Sequence, residues 1–146
     1  MDGMPAPIVV KRLVRNLRYR QTYVKVYESF LQPEPHPELA RLLCALIQVQ
    51  QSAVVLLSGY LQDLGVPVND LPPVQRLVGH ARSRNGVRSR LHFAHYGLTR
   101  AVSWYREQLM DQQMISEPGL KQLLFELGER EAASLWRTEI AMAVLG

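Results

Sequence analysis

This chain has almost no cysteine, no long uninterrupted apolar run, and a wide central stretch without acid. Cys44 is the one cysteine among 146 residues, so no disulfide can form within the chain. The four histidines, His36, His80, His92 and His95, are scattered without the Cys/His spacing of a zinc site. This usage matches a reducing compartment, and a cytoplasmic location is expected. Met1-Asp2-Gly3-Met4-Pro5 shows no basic segment leading into an apolar one, which points to a chain that is not exported. No apolar run reaches the roughly 20 residues that span a bilayer, so no transmembrane segment is expected. Also missing are a glycine-rich phosphate loop, a Gly-x-Ser-x-Gly elbow and a nucleophile-base pair. No catalytic residue is assigned.

No acidic residue occurs between Asp70 and Glu107, and the formal net charge is +4. Arginine and lysine gather in two places, Lys11 to Lys25 and Arg76 to Arg100. Clustered cations gain affinity for phosphates by releasing counterions. A basic surface built from Arg82, Arg84, Arg88 and Arg90 is therefore a candidate for nucleic acid or another acidic partner. No nucleic-acid-binding module is recognisable, and two solvated helix surfaces with a polar loop explain the same residues.

Apolar periodicity predicts four long helices. The first covers about Ile8 to Leu31 and is expected to end at Gln32-Pro33-Glu34-Pro35-His36, because proline cannot continue the hydrogen-bond ladder. Pro37 suits the first turn of the second. Leu39, Leu43, Leu46, Gln50, Ala53, Leu57, Leu61 and Leu64 follow one of its faces, and Gly65-Val66-Pro67 closes it. Residues 66–87 form a proline-bearing connection with one helical turn near Val74 to Leu77. It is long for bundle neighbours, and a stretch of about 20 residues at roughly 3.3 Å each can run the length of a helix stack, which favours a crossover. The third helix covers about Arg88 to Gln113, and Ser116-Glu117-Pro118 opens the fourth, which runs to about Leu145. Val54 to Leu57 and Ile140 to Leu145 carry apolar side chains around most of a turn, which points to deep packing or a homodimer.

The two halves also rhyme. Lys11-Arg12-Leu13, Val24, Tyr27 and Leu31 answer Ser89-Arg90-Leu91, Val102, Tyr105 and Leu109; Pro37, Leu39, Leu42-Leu43, Leu46 and Leu64-Gly65 answer Pro118, Leu120, Leu123-Leu124, Leu127 and Leu145-Gly146. This repeat and crossover resemble the ferritin-like superfamily, with its bacterioferritin and rubrerythrin relatives. The resemblance implies an all-α fold, a four-helix bundle of two antiparallel hairpins, 8–65 and 88–146, joined by the crossover 66–87 in a single domain, 1–146.

In that superfamily the first and third helices offer a Glu seven residues before a Tyr, and the second and fourth offer Glu-x-x-His. Carried over, those positions fall on Arg20, before Tyr27, and Leu98, before Tyr105; on Gln50 and Ala53; and on Glu131 and Ser134. Only Glu131 keeps its chemical type. One carboxylate facing an arginine lacks the hard donors that two metal ions require, so the expectation is no cofactor and no di-iron centre. Arg20 and Glu131 should instead form a buried ion pair, with Gln50 and Ser134 as hydrogen-bond partners.

His92 and His95, three apart, could join Glu131 in a relocated metal site. Bland roles suit the rest: Tyr27 and Tyr105 pack in helix seams, Trp104 and Trp136 serve core or interface, Cys44 is a small buried residue, and Glu126, Glu129 and Glu139 lie on a polar face. His36 and His80 show no evident partner. The function implied is a non-catalytic structural or protein-interaction module, homodimeric, with an unidentified protein partner. A relocated metal site and an arginine-rich binder of nucleic acid are the alternatives.

Overall fold

The computed structural model describes residues 5–32 and 36–146. The protein is all-α: α1 (Pro7–Leu31), α2 (Pro37–Asp63), α3 (Gln75–Arg82), α4 (Gly86–Leu109), α5 (Gln112–Ile115) and α6 (Leu120–Leu145).

Local chemistry accounts for most helix ends. Pro7 and Pro37 sit in the first turns of α1 and α2, where a missing N–H is no loss. His36 is not idle: its Nδ1 accepts the Glu38 N–H at 3.3 Å and caps α2. At the other end of α2, Gly65 takes φ +81°, Gly65 N–H donates to the Gln62 carbonyl at 2.9 Å and Val66 N–H to the Leu61 carbonyl at 3.0 Å. A glycine in left-handed conformation is what this closure needs. Pro33, Glu34 and Pro35, expected to end α1, lie outside the described residues.

Three boundaries differ from expectation. The connection carries a full helix, α3, where one turn was anticipated, because Arg18 and Thr22 of α1 hold its entrance: Arg18 Nε donates to the Pro72 carbonyl at 2.9 Å and the Val74 N–H donates to Thr22 Oγ1 at 3.0 Å. α4 stops at Leu109 and does not reach Gln113. Asp111 starts α5 instead, accepting the Gln113 N–H at 2.9 Å and the Arg12 Nη1 at 2.7 Å, while Met114 is fully buried. α6 begins only after Gly119.

α1 packs on α2, α4 on α6, and α2 on α6. Two apolar clusters fill the interior. One joins Val9, Leu13 and Leu17 of α1 to Leu57 and Leu61 of α2, Tyr105 of α4 and Leu120 and Leu124 of α6. The other joins Tyr27 and Phe30 to Leu39, Leu43, Leu91 and Leu98. The start of α1 therefore meets the end of α2, and the end of α4 meets the start of α6, so both pairs are antiparallel. α2 and α4 run in the same direction, and the chain between them must travel from one cluster to the other. Ala81 of α3 is buried in the second cluster while Val68 is buried in the first, which traces that path.

By length and composition α2 could cross a membrane, with mean hydropathy 1.6 over its most apolar window. A helix buried in a protein core passes the same test, and α2 is one. Its Leu39, Leu43, Leu46, Leu57 and Leu61 are buried in the two clusters, with Gln50 buried between them.

Candidate functional site

Between the two apolar clusters lies a polar layer. Arg20 falls one turn after Leu17 and one before Tyr23; Gln50 falls between Leu46 and Ala53; Glu131 follows Leu127 on α6. The 3.6-residue period puts each on the inward face of its helix, and all three are buried. Arg20 Nη1 donates to Glu131 Oε2 at 2.5 Å and to Gln50 Oε1 at 3.0 Å, and Gln50 Nε2 donates to Glu131 Oε1 at 2.8 Å. The three groups close a ring that uses both carboxylate oxygens and both ends of the amide. Arg20 Nε remains buried without a partner.

Burial works against the Arg20 charge, but the Glu131 carboxylate outweighs it, and the guanidinium stays protonated with its pKa raised. The tyrosines around the layer respond mainly to desolvation. Burial pushes the Tyr23 phenol up to about 12, partly offset by Arg20, and Tyr105 likewise to about 12. Tyr27 is also raised, again chiefly by burial. Asn16 Nδ2 donates to Tyr105 Oη at 2.6 Å, which satisfies that buried hydroxyl.

Other residues from the sequence pattern occupy the same region without joining the ring. Ala53 and Leu98 are buried and apolar. Ser134 is buried, but its hydroxyl takes no part in the three bonds; its carbonyl accepts the Thr138 hydroxyl at 2.9 Å. The structure does not bring His92, His95 and Glu131 together. His92 is exposed, and His95 Nε2 meets Glu139 Oε2 at 3.1 Å on the outside of α4 and α6. Glu139 is thus more than polar facing. Among the described residues no three of His, Cys, Asp and Glu come together as a metal set.

Several bland assignments also change. Cys44 is exposed, not buried, because α2 turns its Leu43 and Ile47 face inward. Trp136 stands 66% exposed, whereas Trp104 is half-buried against Tyr105, with ring centres 5.1 Å apart. The proposed basic surface splits. Arg82 and Arg88 are exposed, but Arg84 and Arg90 are half-buried, with their guanidinium carbons 6.0 Å from the Phe93 ring and 5.2 Å from the Phe30 ring.

Sequence reasoning missed Tyr23 and Gly97. A Cβ on Gly97 would lie 2.8 Å from Cζ of Tyr23, so only glycine lets α4 accept that ring, which is itself held by Tyr27 and Phe93 at 5.5 and 6.1 Å. A glycine on the inner face of a long helix was the available signal. A cavity of about 470 Å³ lies away from the polar layer between α1, α2 and the Asp70-Leu71 loop, and mixes Lys25 with Glu28 and Asp70. No family model, curated protein or solved structure matches this chain.

Proposed function

We propose that this chain is a ferritin-like four-helix bundle of two repeated hairpins in which an ion pair stands where relatives hold metal, and that it acts as a non-catalytic structural or protein-interaction module. The observation that carries this reading is the closed ring of Arg20, Gln50 and Glu131. Its guanidinium supplies, in the middle of the core, the positive charge that would otherwise balance Glu131. A di-metal centre requires several carboxylates and imidazoles around two cations, and here an arginine and a glutamine occupy the positions that the resemblance assigns to two of those carboxylates.

The interaction role draws on α6. Trp136, Ile140 and Val144 recur every fourth residue and are all exposed, so they share one helix face with no covering element. Such a stripe is an association surface, and the partner in this reading is a second copy of the chain in the cytoplasm.

Elemental analysis of untagged protein after challenge with iron, manganese and zinc, with sedimentation of the same sample, tests both halves. The expected result is far less than one metal per chain and a dimer that Ile140→Glu dissociates. Stoichiometric metal that survives dialysis overturns the first half; a monomer at all concentrations overturns the second.

A further inference from the structure

Two adjoining chambers open between α1, α3 and α4 on the side of the polar layer away from α2. The inner one, about 210 Å³, is lined by Arg15, Arg20 and Arg100; the outer one, about 430 Å³, by Arg76, Arg84 and again Arg100. Tyr19, Tyr23 and Arg100 line both, so the two chambers share a wall. Among the described residues no carboxylate lines either chamber. Three arginines border each of them, with Arg100 shared, and of the five only Arg20 has a carboxylate partner among the described residues, Glu131 behind it.

The donors are also unspent. Arg20 is 4% exposed, lines the inner chamber, and has its Nε buried without a partner. Arg84 Nε is likewise buried and unbonded. A buried donor with no acceptor is costly, and here one such residue borders each chamber, Arg84 the outer one. Arg100 holds only a 3.2 Å bond to the Tyr96 hydroxyl, on the surface.

The remaining walls are rings. Tyr19 and Tyr23 border both chambers, Trp104 the inner one and Tyr96 the outer one. Flat aromatic walls suit a planar heterocycle by stacking, and guanidinium forks match phosphate oxygens in pairs. The outer chamber alone falls within the usual range of small-molecule sites.

We propose that the outer chamber binds a nucleotide, with the phosphate held by Arg100 and Arg76 at the mouth and the base stacked on the rings of Tyr19, Tyr23 and Tyr96. The site does not depend on the ferritin-like reading, since neither Arg20, Gln50 nor Glu131 lines the outer chamber.

Isothermal titration calorimetry of the whole chain with adenosine monophosphate, inorganic phosphate and adenosine tests it. Adenosine monophosphate should bind saturably at one per chain, and each half-ligand about tenfold more weakly or worse, because each keeps only one of the two sets of contacts. Arg100→Gln and Arg76→Gln, both at exposed positions where the fold does not depend on them, should each weaken binding by about tenfold, the worth of a charge-assisted bond. Arg106→Gln, also exposed on α4 but lining neither chamber, should leave it unchanged. The proposal is overturned if adenosine monophosphate gives no saturable heat, if inorganic phosphate binds equally well, or if Arg106→Gln weakens binding as much as Arg100→Gln. Tighter binding of a short single-stranded oligonucleotide, falling steeply with salt, would assign these arginines to a nucleic-acid strand and overturn it as well.

Discussion

Glu131 shows how much a single residue depends on its partners. Glu131→Gln removes the carboxylate and leaves Arg20 charged in the core, which is expected to destabilise the fold by about 3–5 kcal/mol. The triple change Arg20→Met, Gln50→Leu and Glu131→Leu removes every polar group of the ring together. Well-packed apolar replacements of buried ion pairs are often neutral or stabilising by about 1–4 kcal/mol. Urea denaturation of the two variants should thus give opposite signs, with the single change falling below the parent and the triple change matching or exceeding it. A triple variant as unstable as Glu131→Gln would show that the ring stabilises the fold on its own account. The pairing of Arg20 with Glu131 was anticipated through the ferritin-like resemblance, which puts Arg20 seven residues before Tyr27 and Glu131 at the first position of the fourth helix's ligand pair. The ring's closure by Gln50 through both amide ends, without the Ser134 hydroxyl, was not, because spacing sets the face a side chain occupies but not its rotamer.

At the scale of elements, the crossover is the informative one. α3 packs mainly on α1, and its entrance is held by the Thr22 hydroxyl and by two Arg18 bonds to Pro72 and Pro73. Thr22 is buried and also donates to the Arg18 carbonyl at 2.7 Å. Thr22→Val keeps the shape but strips the Val74 N–H of its acceptor, a loss of about 1–3 kcal/mol. Since local opening draws on local contacts, hydrogen exchange should quicken by about tenfold or more across residues 74–82 and change little in α2. Equal quickening in both would mean that α3 opens only with the whole fold. The length of this connection was readable from the prolines and glycines around it. Its helix was not, because the eight residues of α3 include Gly79 and bury only Ala81, too little periodicity to stand out. The short α5 escaped for the same reason.

The whole molecule should reveal its core in alkali. Burial pushes Tyr23 and Tyr105 up to about 12 and raises Tyr27 as well, whereas tyrosine in an unfolded chain ionises near 10. Below pH 10 the three phenols are neutral in both states and their effect on stability is constant. Above it the unfolded chain releases protons that the folded chain retains, so stability falls progressively from about pH 10 to 12. Phenolate absorbance followed with circular dichroism should show these three of the six tyrosines titrating together with loss of helix. Their ionisation in a fully helical protein would mean that water reaches the core.

The sequence alone determined where the long helices run and which face of each is apolar. These are properties of periodicity and of proline and glycine placement, and they act over a few residues. Tertiary structure decided which faces meet. His95 lies opposite Glu139 and not Glu131, Arg84 and Arg90 rest on phenylalanine rings instead of standing in solvent, and arginines from α1, α3 and α4 border two adjoining chambers. Helix rotation and the path of the crossover set those encounters. Both come from the packing of side chains far apart in the chain, to which no local pattern refers.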